Sequence, residues 1–212
     1  MTLIGHPIIN WVGSTIEIKL IDFSNRESYT GKQIHPLWAL DNLGIAGDSF
    51  VIFRGSMNIS REEMIDVRDI VRERTMADIL IAGDDCLHFI IEMFDDQPAN
   101  LKIAYHRLHL LAFIVQRFLE QELQIALEKK GTDLYYQGQK INVAIATCSN
   151  NSAKIHFGLN VVSTGVPAHV KAIGLKEINR DIVLENLALT IAKTFITELE
   201  AIKDDLTKSR TF

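Results

Sequence analysis

Four polar side chains between positions 140 and 160 have the types and spacing to do chemistry: Lys140, Asn142, His156 and Asn160. They fall in two runs that alternate polar and apolar residues with period two, the pattern of half-buried strands. The first run sets Lys140, Asn142, Ala144 and Ala146 against Ile141, Val143, Ile145 and Thr147. The second sets Lys154, His156, Gly158 and Asn160 against Ile155, Phe157, Leu159 and Val161. Cys148-Ser-Asn-Asn-Ser152 between them supplies the turn chemistry of a hairpin. With the turn centred on Asn150, Lys140 faces Asn160, Asn142 faces Gly158 and Ala144 faces His156. That face then carries an amine, two amides and an imidazole, with Ala144 and Gly158 leaving room among them. It reads as the floor of a polar pocket or, equally, as a solvent-facing sheet surface.

A lysine in such a floor stabilises charge developing on a carboxylate or phosphate. His156 suits acid or base work near neutral pH, or a structural hydrogen bond. Arg54-Gly55 at a strand end makes an anion contact, because glycine lets a ligand approach the backbone; a surface salt bridge is the alternative. The stretch from Cys86 to Phe94 reads as a strand from its β-branched and aromatic content. His88 and Glu92 are then roughly 13 Å apart, too far to ligate one metal, although His88 can point into a pocket. His106 and His109 lie three apart on a helix without a third ligand, so no metal site is expected. Neither Cys86 nor Cys148 sits in a CxxC, and neither shows a partner base for a thiol nucleophile.

The elements that must hold these residues follow from periodicity and turn residues. Ser14 to Phe23 reads as a strand with Ile16, Ile18 and Leu20 on one face. Pro36 opens a short helix that Gly44 stops. Gly47 to Gly55 is a short apolar strand. Ser60-Arg-Glu-Glu63 is a capping-box signature for an amphipathic helix bearing Met64, Val67, Ile70 and Val71. Ile79 to Ala82 is brief and broken by Gly83-Asp84-Asp85. Leu101 to Lys129 is the longest helix, Val161 to Asn179 is loop-rich, and Asp181 to Lys208 is the last helix. A hairpin cannot belong to a purely parallel sheet, so the expected class is α+β: a mixed, largely antiparallel central sheet flanked by helices. No repeat or linker interrupts the chain, which reads as one domain over 1–212.

Apolar residues make up 47% of the 212, enough for a packed core. A formal charge of -5 without a Lys/Arg run argues against a nucleic-acid partner, but leaves room for one small anion in a locally basic pocket. The first residues lack a basic start and a cleavage site, and no apolar run reaches the ~20 residues of a membrane span. A soluble, cytoplasmic protein with no membrane partner is expected; a homodimer is compatible with the sequence.

Asp133-Leu-Tyr-Tyr-Gln-Gly-Gln-Lys140-Ile resembles the Asn-Asp-Leu-x-x-x-Gly-x-Lys segment of biotin and lipoate protein ligases. His156-Phe-Gly158-Leu-Asn160 resembles the Gly-x-Gly-Ile-Asn strand of biotin ligases and the His-x-Gly strand of lipoate ligases. Gly47 to Gly55 corresponds to a strand that ends near the substrate. PLWALDNLGIAGDSFVIFRG, LHFIIE, DLYYQGQK and IHFGLN together resemble the domain of unknown function 366 family, in which the chain is identified as a member. The resemblance implies the fold of biotin and lipoate ligases and class II synthetases. It implies an acyl or adenylate transfer on a small carboxylic acid, with Lys140 on the carboxylate and phosphate. Catalytic residues are then Lys140 and His156, and substrate contacts are Arg54, Gly55, His88, Asp133, Asn142, Gly158 and Asn160. Arg74 to Gly83 stands where the ligases carry an arginine- and glycine-rich phosphate loop, and a single glycine frees few backbone N–H groups for a phosphate chain. ATP as a cofactor therefore stays open, as does the alternative of a non-catalytic module that binds a small carboxylate or nucleotide.

Overall fold

The computed structural model describes residues 8–9, 15–66, 71 and 81–209. Its frame is a six-stranded sheet built from β1 (Ile8–Ile9), β2 (Glu17–Leu20), β3 (Ser49–Ile59), β4 (Ile81–Met93), β8 (Asn142–Cys148) and β9 (Ala153–Asn160), in the order β1-β2-β3-β4-β9-β8. Among these strands only β2 and β3 run parallel; the other neighbours are antiparallel, in agreement with the α+β expectation. A small antiparallel sheet of β5 (Glu128–Lys130), β6 (Asp133–Tyr136) and β7 (Gln139–Lys140) stands beside it.

Alternation decides which face each side chain takes. Phe50 and Ile52 of β3, Leu87, Phe89 and Ile91 of β4, and Ile155, Phe157 and Leu159 of β9 share one buried cluster. Two helices cover that face: α2 (Leu101–Leu123) through Leu108, Leu111, Val115 and Leu119, and α4 (Leu184–Asp205) through Leu187, Ile191 and Phe195. Each such aliphatic or aromatic side chain contributes about 1.5–3 kcal/mol when fully buried. The other face is covered at the β3–β4 side by Tyr29, Ile34, Ala39, Ile45 and Met64. Over the β9–β8 side it opens into a groove.

The boundaries differ from the periodicity in instructive ways. Asn100 caps α2 by accepting from the Lys102 and Ile103 N–H groups, at 2.9 and 3.3 Å. The helix ends where Gln124 turns left-handed (φ 54), so residues 128–130 form β5 and do not continue the helix to Lys129. Gly83-Asp84-Asp85 does not break β4 but gives it one extra residue, a bulge opposite Ser56, and β3 runs past Gly55 to Ile59. The short helix after Pro36 is α1 (Trp38–Leu43), stopped by a left-handed Gly44. The loop-rich 161–179 segment holds a single helical turn, α3 (Leu175–Ile178). Arg61–Glu63 forms one 3-10 turn; most of the amphipathic helix expected after it lies outside the described residues, as does the Arg74–Gly83 segment up to residue 80, the rest of which opens β4. No helix among the described residues is long and apolar enough to cross a membrane.

Candidate functional site

The hairpin forms, but in a register one residue away from the one centred on Asn150. Asn142 pairs with Leu159, Val143 with Gly158, Ala144 with Phe157 and Ile145 with His156. Because side chains alternate, a one-residue slip moves the whole set to the other face. Asn142, Ala144 and Ala146 therefore lie on the helix-covered face, while Val143, Ile145 and Thr147 join Lys154, His156, Gly158 and Asn160. The cause is a break at Ile141, between β7 and β8. Ile141 gives its N–H to Leu134 of the small sheet and its carbonyl to Asn160 of the large one, at 2.9 and 2.8 Å. Lys140 and Asn142 thus belong to different sheets.

His156 and His88 are wholly buried and stacked. His88 Nδ1 lies 3.1 Å from His156 Nε2, so one imidazole donates to the other. Tyr29 stacks on His156 with centroids 3.6 Å apart, and Phe53 leans on His88 at 4.8 Å. Burial pushes the His88 imidazole down to about 4, with partial relief from the backbone at Gly55 and Ser56. Burial, followed by His88 itself, holds His156 well below the usual range. Burial first, then Glu63, raises the Tyr29 phenol. All three groups are neutral at pH 7. The space at Gly158 is not ligand space: a methyl there would lie 3.2 Å from both the His156 ring and Val143. His156 and His88 are part of the packed floor, with Tyr29 and His156 touching the groove from beneath.

Arg54 and Gly55 do not reach the groove. Arg54 grips Asp85 with two bonds, Nε to Oδ1 at 2.8 Å and Nη2 to Oδ2 at 2.5 Å, and Arg26 adds a third at 2.9 Å. Burial raises the Asp85 carboxyl, and the two guanidiniums more than reverse this, so it titrates below its ordinary value. Gly55 is small because the backbone of Glu27 crosses it: a Cβ would lie 1.9 Å from the Glu27 carbonyl oxygen. The close approach expected at this glycine is real, but the chain itself makes it.

Lys140 is on the groove, a cavity of about 1650 Å³ between the open sheet face and the small sheet. The Gln137-Gly138 turn, with φ 51 and 76, places Lys140 opposite Tyr135. Its backbone is held on both sides, the N–H by Lys171 at 2.7 Å and the carbonyl by Ile173 at 3.0 Å. Lys140 Nζ meets Asp133 Oδ1 at 3.0 Å, and Tyr135 Oη reaches the other carboxylate oxygen at 3.5 Å. Asn142 supports this corner without presenting its amide to it: Oδ1 accepts from Leu134 N–H at 2.7 Å and Nδ2 donates to the Thr132 carbonyl at 3.0 Å. Asn160 Nδ2 donates to the Lys140 carbonyl at 3.3 Å. Val143, Ile145, Met57 and Val166 give the cavity an apolar wall. Of the candidates that the sequence singles out, the structure gathers Lys140, Asp133, Asn142 and Asn160 here, and puts Arg54, Gly55 and His88 elsewhere.

Sequence reasoning missed Tyr29, Tyr135 and Lys130. Lys130 sits 5.3 Å from the Tyr135 ring centroid and 3.0 Å from Glu128. A helix extended to Lys129 conceals β5. At the far end of the hairpin a second polar cluster is closed: Lys154 Nζ meets Glu92 Oε1 at 2.5 Å and Ser152 Oγ at 2.7 Å, and Glu92 also accepts from Ser152 Oγ and Leu37 N–H. Burial pushes the Cys86 thiol up to about 12 and also raises Cys148, so neither is a ready thiolate. Among the described residues no three His, Cys, Asp or Glu side chains converge for a metal ion.

This chain belongs to the domain of unknown function 366 family, whose model matches residues 18–210. An uncharacterised protein of Methanocaldococcus jannaschii is 40% identical over 201 residues, covering 93% of this chain and 87% of that protein. A solved protein of unknown function from Pyrococcus horikoshi is 37% identical, covers 93% of this chain and 100% of its own, and superposes with a TM-score of 0.84. The biotin protein ligase of Aquifex aeolicus, solved with biotin and ATP, is 19% identical, covers 85% of this chain and 69% of its own, and has a TM-score of 0.57. The fold is therefore that of the biotin protein ligases.

Proposed function

We propose that the groove binds a small carboxylic acid with its acid end at Lys140, and that this cytoplasmic protein passes the acyl group on, through an adenylate where ATP is co-substrate. Lys140 carries this reading. It is a cation fixed by two backbone hydrogen bonds, a third exposed or less, at the end of a cavity with an apolar wall. A preorganised cation facing a forming oxyanion in a dry site contributes on the order of several kcal/mol. The ligase-like fold supports it, because the Aquifex aeolicus ligase was solved with a carboxylic acid and a nucleotide together. That support is an analogy of fold.

The test is to incubate the protein with ATP and biotin, lipoate or octanoate in turn, and to follow pyrophosphate release. Release with one of these acids, reduced ~100-fold or more in a folded Lys140→Ala variant, is the expected result. One observation favours a second reading, a binding module without chemistry: His156 is taken into the floor stack, which denies its imidazole to the Lys140 corner. Acid binding without pyrophosphate release would favour that reading. Binding unchanged by Lys140→Ala would overturn both.

A further inference from the structure

We infer that the acid held at Lys140 also carries an amine: a small 2-amino acid with an apolar side chain, bound as its zwitterion. The inference rests on the proposal that an acid group binds at Lys140. Its basis is the pair itself. Lys140 and Asp133 are 3.0 Å apart, 27% and 33% exposed, and both line the groove. An ammonium has three donors, and Asp133 is the one partner of Lys140 Nζ among the described residues. The remaining carboxylate oxygen has only the long 3.5 Å contact with Tyr135. One spare cationic donor set and one spare anionic acceptor set therefore face the same cavity side by side.

Charge accounting distinguishes the ligands. A monocarboxylate brings a second anion to a lysine that already has one, and sets it against Asp133. A 2-amino acid brings a carboxylate for Lys140 and, one carbon away, an ammonium for Asp133, so that all four charges are paired. The neighbouring charges at this corner do not serve the same purpose. Lys130 is paired with Glu128 at 3.0 Å, and both are well exposed. Lys171 lies beside Lys140 in the backbone ladder but is exposed, as is His169. The wall formed by Val143, Ile145 and Met57 asks for an apolar side chain.

Isothermal titration of the full chain with octanoate, octylamine and 2-aminooctanoate tests this, since the three share one tail and differ only at the head. The expected result is binding of 2-aminooctanoate at least tenfold tighter than octanoate. Asp133→Asn should abolish that advantage while octanoate still binds, and Lys140→Met should weaken both acids. Octanoate binding as well as or better than 2-aminooctanoate in the unmodified protein overturns the zwitterion and leaves the acid site standing. Octylamine binding as well as 2-aminooctanoate, or none of the three binding, overturns both. If Asp133→Asn does not fold, as judged by thermal unfolding, the three-ligand comparison on the unmodified protein decides alone.

Discussion

Lys154 and Glu92 sit 2.5 Å apart with side chains 1% and 4% exposed, whereas Lys140 and Asp133 sit 3.0 Å apart with 27% and 33% exposed. The same two charge types lie at opposite ends of one hairpin region and have different uses. At the closed end, Glu92 Oε1 is met by three donors, from Lys154, Ser152 and the Leu37 backbone, and nothing can be exchanged without unpairing a buried charge. At the open end the ammonium and the carboxylate each have valences to spare, and water or a ligand can fill them. Desolvation separates a pair closed into the architecture from one that stays open to exchange. The buried histidines belong with the closed end: one nitrogen of each meets the other ring, and the rings are stacked.

The contrast is broken most severely by Lys154→Met. It leaves the Glu92 carboxylate buried without its cation, and a loss of about 3–5 kcal/mol is expected in urea denaturation. A loss under ~1 kcal/mol would mean that the cluster is open to water after all. Next in size is the acid dependence of the histidine stack. The unfolded His88 takes up a proton near its ordinary value of 6.5, while the folded one resists until about 4. Between those limits the unfolded state binds more protons, so the His88 contribution makes stability fall as pH falls, and that contribution levels off below pH ~4. A shift of that size corresponds to roughly 3 kcal/mol for His88, with His156 adding in the same direction. Denaturation midpoints measured from pH 7 to 4 should show the fall, and it should shrink in His88→Leu; an equal slope in the two proteins contradicts the assignment.

Gly158→Ala presses a methyl against the His156 ring and Val143 at 3.2 Å, and should cost about 1–3 kcal/mol by thermal unfolding. Unchanged stability would show that the stack can move aside for a ligand. Lys140→Ala is the smallest for stability, within ~1 kcal/mol because the pair is partly exposed and screened. It is also the variant expected to abolish acid binding in calorimetry. A stability loss as large as that of Lys154→Met would make the rim pair structural and erase the distinction.

Much of the fold is legible in the chain. Period-two alternation finds β2, β8 and β9, and Gly44 and Asn100 mark helix ends because caps act over three or four residues. The turn that precedes Lys140 is legible because it depends on local residues. What cannot be read is long-range. Ile141 joins two sheets, and no residue type announces that, so periodicity draws one continuous strand and assigns the polar side chains opposite β9 to the wrong face. Arg54 resembles an anion contact because Asp85 and Arg26 are distant in sequence. Gly55 correctly signals a close approach, but composition does not say whether a ligand or the chain makes it.

The junction at Ile141 also bears on how this family can change. The corner holding Lys140 and Asp133 is built on the small sheet, while the core is built on the large one. Between β7 and β8 the two are joined through a single fully buried residue, hydrogen-bonded to each. Leu134 is buried in the core shared with β8 and β9, and Tyr136 packs against it, so substitutions at the other positions of 128–139 are the ones that can accumulate with little effect on that packing. Ligand preference and thermal robustness are free to diverge along separate lines of descent, with Ile141 and Leu134 as positions at which both kinds of change are constrained.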